Sequence, residues 1–351
     1  MAIFSVSNVK FSGVSACVPK RTVSNHDYEE ITEKERNMLI KTTGIEERRV
    51  AEVGVATSDL CFEAAEKLIE ELEWDKEEIQ LLVFVSQSRD YILPATAIIL
   101  QDRLGLPKTS IAFDVSLGCS GYVYGLSVIA SLMSSAQTKK ALLMVGDISS
   151  LSPNEKDKST YPLFGDAGTV TALEFDPSAP SMNFNLQSDG SGYKAIIIED
   201  GGVRNPINDE SYQDVEIDKG ITRNKRNLAL DGLEVFNFSL KEVAPNIRAF
   251  LDATHTTKDD YDYFTFHQAN KLMNESIRKK LKIEEEKVPY TLRKFGNTSS
   301  ASIPLTLVKE LNHELETKRL KHIFSGFGVG LSWGTVSVET DKIVCPELIE
   351  I

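Results

Sequence analysis

Short apolar runs rich in β-branched residues alternate along this chain with longer segments of helical periodicity. The runs predict strands and the longer segments predict helices, and this alternation is typical of an α/β fold. Strands are predicted at 81–85, 111–115, 141–145, 262–266, 323–324 and 335–338. Helices are predicted at 58–71, 121–136, 233–253 and 269–281.

The same landmarks recur in the two halves of the chain at a nearly constant spacing. Three pairs carry this repeat, with offsets of 181, 178 and 180 residues by subtraction of their numbers: Val85 with Phe266, Cys119 with Asn297, and Gly146 with Gly326. Strand-turn-helix units are common, so three landmarks support a duplication without establishing it. We predict two related α/β halves, residues 1–175 and residues 176–351.

Composition excludes several classes of function. The 351 residues carry a formal net charge of -13, which opposes general binding to nucleic acid or to anionic lipid. The N-terminal segment lacks a basic stretch followed by an apolar one, and no apolar run approaches about 18 residues. We therefore expect a cytoplasmic protein that binds neither membranes nor nucleic acid.

The four cysteines are scattered, and one of them has an unusual setting. Without a CxxC pair or a nearby histidine they predict neither a metal site nor a disulfide framework. Cys119 follows the predicted strand 111–115 in Leu-Gly-Cys-Ser-Gly and directly precedes the predicted helix 121–136. A helix N-terminus lowers the pKa of a nearby thiol, so we expect Cys119 to be a reactive nucleophile. The other three, Cys17, Cys61 and Cys345, are expected to be inert core residues.

Two polar residues of the second half stand in comparable places. His267 ends the predicted strand 262–266, and a residue at the carboxyl end of a strand faces the crevice of an α/β sheet. Asn297 follows a glycine before another predicted helix, as Cys119 does in the first half. The remaining histidines lie among polar residues and are expected at the surface: His26, His255, His313 and His322.

Seven segments, in this order, resemble the motifs of β-ketoacyl-acyl-carrier-protein synthase III, a family of condensing enzymes in the thiolase superfamily. They are TTGIEERR from Thr42, LGCSG from Leu117, FGDAGTVTAL from Phe164, SDG from Ser188, FHQAN from Phe266, FGNTSSAS from Phe295 and GFGVGLSWG from Gly326. The resemblance covers nearly the whole chain. It implies a thiolase-like duplicated fold with five αβαβα layers, a homodimer, and no tightly bound cofactor or metal.

The resemblance also implies a reaction. Cys119 would take an acyl group from a thioester, and malonyl-acyl-carrier-protein would then lose carbon dioxide and condense with it to give a 3-oxoacyl product. His267 and Asn297 would donate hydrogen bonds to the enolate that decarboxylation leaves. The backbone N–H groups of Cys119 and Val329 would form an oxyanion hole, and Phe327 would disfavour the malonyl carboxylate beside the cysteine.

Some positions depart from the family pattern. Met38 and Thr42 stand where many members hold the adenine of coenzyme A between a Trp and an Arg, so either acyl-coenzyme A or an acyl carrier protein could supply the primer. Leu93 stands where a partner's aromatic residue often closes the acyl tunnel, which predicts primers longer than acetyl.

Docking of an acidic carrier protein needs a basic surface. The predicted helix 269–281 and its end supply candidates at Lys271, Arg278, Lys279 and Lys280, with Lys282 beside them and Glu275 as the one acid. Against this prediction, the family's arginine just after HQAN is Leu272 here.

Two other functions stay open at this point. A Cys-dependent acyltransferase could form an ester or amide without decarboxylation, but it would not need the His267 and Asn297 pair. A scaffold subunit of a two-protein ketosynthase usually loses the cysteine, so the presence of Cys119 argues against it.

Overall fold

The structure, a computed structural model, describes residues 2–136 and 138–351. Its strands are β1 (Ala2–Val6), β2 (Val9–Val18), β3 (Thr22–Ser24), β4 (Glu47–Arg49), β5 (Ile79–Val85), β6 (Ile111–Val115), β7 (Lys140–Ile148), β8 (Asp166–Phe175), β9 (Met182–Ser188), β10 (Ile196–Ile197), β11 (Val215–Asp218), β12 (Ile221–Arg223), β13 (Ala229–Leu230), β14 (Tyr263–Phe266), β15 (Arg319–Gly328), β16 (Ser332–Asp341) and β17 (Ile349–Glu350). Its helices are α1 (Glu33–Thr43), α2 (Thr57–Glu71), α3 (Thr96–Arg103), α4 (Gly121–Ala136), α5 (Gly232–Phe238), α6 (Ala244–Thr254), α7 (Lys271–Leu281), α8 (Leu292–Phe295), α9 (Ser302–Glu310) and α10 (Asn312–Thr317).

Two large mixed sheets organise these elements. One sheet has the order β17-β2-β8-β7-β5-β6, and in it β5 pairs parallel with both β6 and β7. The other has the order β1-β9-β16-β15-β14, in which β14 pairs parallel with β15. The ends of the chain exchange sheets, because β1 pairs with β9 and β17 pairs with β2. The predicted division at residue 175 stays a prediction.

Helices fill three layers around the two sheets. The central hydrophobic cluster unites side chains of α4 and α9 with the inner faces of both sheets. A second cluster packs α2 and α3 on the outer face of the first sheet, and a third packs α5, α6 and α7 on the outer face of the second. Burial of these apolar faces is the main stabilising contribution to such layers. The predicted α/β fold with five layers is therefore confirmed.

Several predicted elements differ in extent. Segment 233–253 is α5 and α6 joined by a π-helical turn at Ser239–Val243, because the hydrogen bonds shift register there. The segment predicted as a strand at 323–324 is the middle of the ten-residue β15, and β2, β8 and β9 were not predicted at all. Helix α7 begins at Lys271 instead of 269, because the Asn270 side chain accepts a hydrogen bond from the Met273 N–H and caps the helix there.

His322 is not a surface residue as predicted. It lies fully buried in β15 between the rings of Tyr263 and Phe324, and its Nε2 lies 3.1 Å from the Thr340 hydroxyl. Burial lowers the pKa of His322 to about 4, so its ring is neutral at physiological pH. Its polar neighbours in sequence point to the other face of the strand, which is why the local composition misleads.

Candidate active site

A cavity of about 850 Å³ is lined by residues from both halves of the chain. Cys119, His267 and Asn297, the three predicted catalytic residues, all line it, as do Phe327 and Val329. All but Val329 are buried. The fold therefore brings together residues that are up to 210 positions apart by number, from Cys119 to Val329.

Cys119 lies in the turn between β6 and α4, as its place between a predicted strand and a predicted helix required. Its Sγ is 3.9 Å from the Ser299 hydroxyl. The backbone N–H groups of Val329 and of Cys119 itself act on this thiol by lowering its pKa. They are the two N–H groups that the family resemblance assigns to an oxyanion hole.

The pKa of the Cys119 thiol is raised, not lowered as the sequence predicted. Burial is the largest cause, the negative charge of Asp147 is the next, and together they raise the pKa to about 11. Hydrogen bonds from Ser299 and from the two N–H groups act in the opposite direction but do not compensate. A thiol, not a thiolate, is therefore the resting form of Cys119 at neutral pH.

Gly328 packs directly against the cysteine. A Cβ atom at position 328 would lie 2.5 Å from Cys119 Cβ and 2.9 Å from its Sγ. The adjoining turn is fixed by Ser332, whose hydroxyl lies 2.7 Å from that of Ser120 and donates to the Val329 carbonyl at 2.8 Å. This close approach explains part of the glycine-rich motif at 326–334.

We expect Gly328→Ala to displace the Cys119 sulfur. The added methyl group overlaps Cys119, so the free energy of unfolding should fall by about 1–3 kcal/mol, and alkylation of Cys119 should slow. Denaturant unfolding and iodoacetamide labelling measure the two effects. Gly190→Ala is the matched control, because a Cβ atom there meets nothing within 4 Å. Equal behaviour of both variants would contradict this account of Gly328.

His267 follows β14 and is held on several sides. Its backbone N–H donates to the Ser325 carbonyl at 2.8 Å, and the Asn274 amide donates to its carbonyl at 3.0 Å. Its ring meets that of Phe327 edge-on, with centroids 5.4 Å apart. Burial lowers the pKa of His267 to about 3, opposed only by a backbone hydrogen bond at Ser299, so the ring is neutral.

Ser302 sets the hydrogen bonding of this ring. Its hydroxyl lies 2.8 Å from His267 Nδ1 and accepts a hydrogen bond from the Gln268 N–H at 3.2 Å. The Ser302 proton can then be donated to Nδ1, an arrangement that places the ring proton on Nε2.

Asn297 is fixed by its backbone and by its side chain. Its N–H donates to the Leu163 carbonyl at 2.9 Å, and its own carbonyl accepts from the Gly165 N–H at 3.1 Å. The side-chain Oδ1 accepts from the Ser299 N–H at 2.9 Å. With Oδ1 engaged, the amide N–H groups are what this side chain offers to the cavity.

Sequence reasoning missed Asp147, which lines the cavity at the end of β7. An acid that directly follows a buried strand and a glycine was the available signal. The residues that donate hydrogen bonds to Asp147 lie far from it in the sequence. The sequence alone therefore does not show that this carboxylate lines the same cavity as Cys119.

The four carrier-binding candidates do not form one free basic surface. Arg278 makes two hydrogen bonds to the Glu275 carboxylate, at 2.9 and 2.8 Å, and a third to the Ile283 carbonyl. Lys280 donates to the Leu240 carbonyl at 2.6 Å. Lys271 is exposed at the start of α7, and Lys279 is exposed 3.8 Å from Glu275.

The part of the chain that the structure describes contains neither a metal-binding cluster nor a membrane-spanning helix. Within 2–136 and 138–351, no three His, Cys, Asp or Glu side chains are grouped so that they could hold a metal ion. No helix in that part of the chain is both long and apolar enough to cross a bilayer.

The family model of 3-oxoacyl-[acyl-carrier-protein] synthase III matches residues 113–190, and the model of the C-terminal part of that family matches residues 251–340. The β-ketoacyl-[acyl-carrier-protein] synthase III 1 of Bacillus cereus is 32% identical over 336 residues, which are 95% of this chain and 100% of that protein. The chain belongs to the 3-oxoacyl-[acyl-carrier-protein] synthase III family.

Other comparisons agree with this membership. The synthase III of Aliarcobacter butzleri is 32% identical, over 93% of this chain and 96% of that protein. A crystal structure of a 3-oxoacyl-(acyl-carrier protein) synthase from Burkholderia xenovorans superposes with a TM-score of 0.93 at 37% identity, covering 99% of each chain. The predicted family, thiolase-like fold and condensing acyltransferase activity are confirmed, so this synthase III family member is an enzyme.

Proposed function

We propose that the enzyme loads an acyl group on Cys119 and condenses it with malonyl-acyl-carrier-protein to give a 3-oxoacyl-carrier product. The observation that carries this proposal is the cavity that holds the Cys119 thiol, the neutral His267 ring and the Asn297 amide together. A neutral pair of hydrogen-bond donors suits a developing enolate, whereas simple acyl transfer has no use for it.

Acyl loading exchanges one thioester for another. Cys119 Sγ forms a bond to the acyl carbon, the bond from that carbon to the donor sulfur breaks, and the thiol proton ends on the leaving thiol. During the exchange the tetrahedral oxyanion would accept hydrogen bonds from the N–H groups of Cys119 and Val329. No net charge or proton is created, which suits a thiol of raised pKa.

Condensation then needs a carbanion. Loss of carbon dioxide from the malonyl thioester leaves an enolate, whose oxygen would accept hydrogen bonds from His267 Nε2–H and from the Asn297 amide. The enolate carbon attacks the acyl carbon, the bond from that carbon to the Cys119 sulfur breaks, and the sulfur leaves as a thiolate that takes one proton from water to restore the resting thiol. Phe327, which is buried and packed against His267, would keep the region beside the sulfur poorly solvated and so disfavour a carboxylate there.

The acyl primer is proposed to be longer than acetyl. Leu93 lines the cavity on the loop between β5 and α3, with Ile92 and Pro94 beside it. A leucine leaves more room than an aromatic ring would.

We expect Leu93→Phe to shorten the accepted primer. The ring would fill part of the cavity, so turnover with medium-chain thioesters should fall by about tenfold relative to acetyl, as expected for a change of one or two buried methylene groups. Leu151→Phe is the control, because Leu151 is also an exposed leucine, at 68% against 83% for Leu93, but does not line the cavity. Wild-type turnover with acetyl that equals turnover with medium chains would refute the longer-primer proposal.

The acyl donor and the extender are proposed to be carried by acyl carrier protein, with acyl-coenzyme A as the other possible donor. Met38, which is 63% exposed, and Thr42 lie on the exposed side of α1, in place of the Trp and the Arg that would stack on an adenine in the family pattern. Lys271 and Lys279 are the candidates whose ammonium groups remain exposed for an acidic carrier.

We also propose a homodimer. Strand β6 is an edge of the first sheet, and Ile111 at its start is half exposed. Nearby, the 86–95 loop exposes Tyr91, Ile92 and Leu93. An exposed sheet edge beside an apolar loop is a surface that association with a second copy would cover.

Carbon dioxide release tests the reaction type. Acyl-loaded enzyme mixed with malonyl-acyl-carrier-protein should release one carbon dioxide for each 3-oxoacyl product. Transfer of the acyl group to an amine or alcohol without carbon dioxide release would replace condensation with the acyltransferase alternative.

A further inference from the structure

The side-chain amide of Gln87 lies against the residue that precedes Cys119. Gln87 is exposed and lines the cavity on the loop between β5 and α3. A Cβ atom placed on Gly118 would overlap the Gln87 side-chain oxygen and would lie 3.1 Å from the Gln87 Cδ. The same point is 3.4 Å from the Ser299 hydroxyl, which lies 3.9 Å from Cys119 Sγ. Gly118, which has no side chain, therefore leaves room for an amide beside the cysteine.

The polar side chains next to Gln87 are already engaged, whereas the Gln87 amide is not. The Ser86 hydroxyl donates to Asp147 Oδ1 at 3.0 Å, and the Ser88 hydroxyl donates to the same oxygen at 3.3 Å. The backbone N–H of Gln87 also donates to it, at 2.7 Å. Within the described residues, no group forms a hydrogen bond with the Gln87 side chain. The backbone at Gln87 is thus held in place, and its amide remains available to a bound molecule.

A plain alkyl chain is a poor neighbour for this amide. When a thioester lies in position for attack by Cys119, the first carbons of its acyl group would pass Gly118 and Gln87. Alkyl carbons there would exclude water from the amide without replacing its hydrogen bonds, which disfavours binding. A hydroxyl on the acyl chain can instead accept a hydrogen bond from the amide N–H or donate one to the amide oxygen.

The rest of the cavity wall favours a neutral hydroxyl over a carboxylate. Phe327 is buried, so the region beside the sulfur would be poorly solvated and a carboxylate there would be costly. Arg89 also lines the cavity, and no described residue forms an ion pair with it, but its side chain is exposed. Further along the same loop, Ile92 and Leu93 line the cavity with apolar side chains, which suit the remainder of an acyl chain.

We propose that Gln87 is a specificity-determining residue and that the primer is a hydroxyacyl thioester, whose hydroxyl on carbon 2 or carbon 3 of the acyl group forms a hydrogen bond with the Gln87 amide. This inference rests on the proposed loading of a primer on Cys119 and names the class of that primer. The hydroxyl takes no part in bond making, so loading remains the exchange of one thioester for another.

The loading rates of matched thioesters test the role of Gln87. The protein is mixed with four-carbon and eight-carbon acyl thioesters of coenzyme A and of acyl carrier protein, each with and without a hydroxyl on carbon 2 or carbon 3. Formation of the acyl-enzyme is followed by intact mass. A hydroxyacyl thioester should load about tenfold faster than the plain acyl thioester of equal length, because only the hydroxyl satisfies the amide. In Gln87→Leu this preference should shrink to about twofold or less.

Arg89→Met is the matched control, because it removes another polar side chain that lines the cavity from the same loop. It should keep the preference for the hydroxyacyl thioester. If Gln87→Leu does not fold, Gln87→Met serves in its place, since its side chain has the same length but no hydrogen-bond donor. Equal loading of hydroxyacyl and plain thioesters by wild type would overturn the inference. A preference that survives both Gln87 substitutions, or that Arg89→Met abolishes, would overturn it as well.

Failure of the proposed function would look different. If no thioester loads the protein, the role of Cys119 as nucleophile is refuted, and binding of the same pairs to Cys119→Ala, measured by calorimetry, decides the role of Gln87. Equal affinity for the hydroxyacyl and the plain thioester would then overturn it, whereas tighter binding of the hydroxyacyl form would support it. Conversely, efficient loading without any hydroxyl preference would leave the condensing function intact and remove only the role of Gln87.

Discussion

Cys119→Ala is expected to abolish condensation, with a loss of at least about four orders of magnitude in kcat/KM. The variant lacks the sulfur that would hold the acyl group, and the remaining N–H groups and donors have no covalent intermediate to act on. The measurement is the rate of 3-oxoacyl product formation from an acyl thioester and malonyl-acyl-carrier-protein.

Another buried cysteine provides the control for Cys119. Cys345 is fully buried, lies away from the cavity, and has its pKa raised by burial to about 12. Cys345→Ala should therefore condense at close to the wild-type rate. Condensation by Cys119→Ala at more than a few per cent of wild type would remove the proposed nucleophile.

Asn297→Ala is expected to separate the two half-reactions. Acyl loading should continue within about threefold of wild type, because the hydrogen bonds for that step come from backbone N–H groups. Malonyl decarboxylation should fall by about 10²–10³-fold, the usual effect of losing one donor to a developing oxyanion. Acyl-enzyme formation and carbon dioxide release are measured separately.

A second substitution distinguishes donation from folding of the turn. Asn297→Asp keeps an oxygen that accepts from the Ser299 N–H but loses the amide donors. It should load the acyl group and also fail to decarboxylate. Decarboxylation at the wild-type rate in either variant would refute the donor role of Asn297.

The parts of the fold that the sequence predicted are those in which local pattern and tertiary position agree. Helix α4 is small or apolar on nearly every side, and it is buried between the two sheets as that pattern requires. The turns at Cys119 and Asn297 were found because glycines next to a polar residue mark an elbow wherever it folds. The π-helical turn after α5 has no such local mark.

The errors share one physical cause. How deeply a side chain is buried depends on residues that are distant from it in the sequence. The start of α4 predicts a lowered pKa for Cys119, but the walls that desolvate the thiol come from both halves of the chain. His322 was assigned to the surface from its neighbours in sequence, although the strand turns it inward. Arg278 was predicted to be available for a carrier, but it pairs with Glu275 in an i,i+3 contact that the sequence already allowed.

The identity of the acylated residue is the central claim, and intact-mass measurement tests it most directly. The protein is incubated with a panel of acyl-coenzyme A and acyl-carrier-protein thioesters of increasing chain length and then weighed. The expected result is a mass increase of one acyl group, largest with primers longer than acetyl and absent in Cys119→Ala. No increase with any thioester, or an increase that persists in Cys119→Ala, would contradict the mechanism.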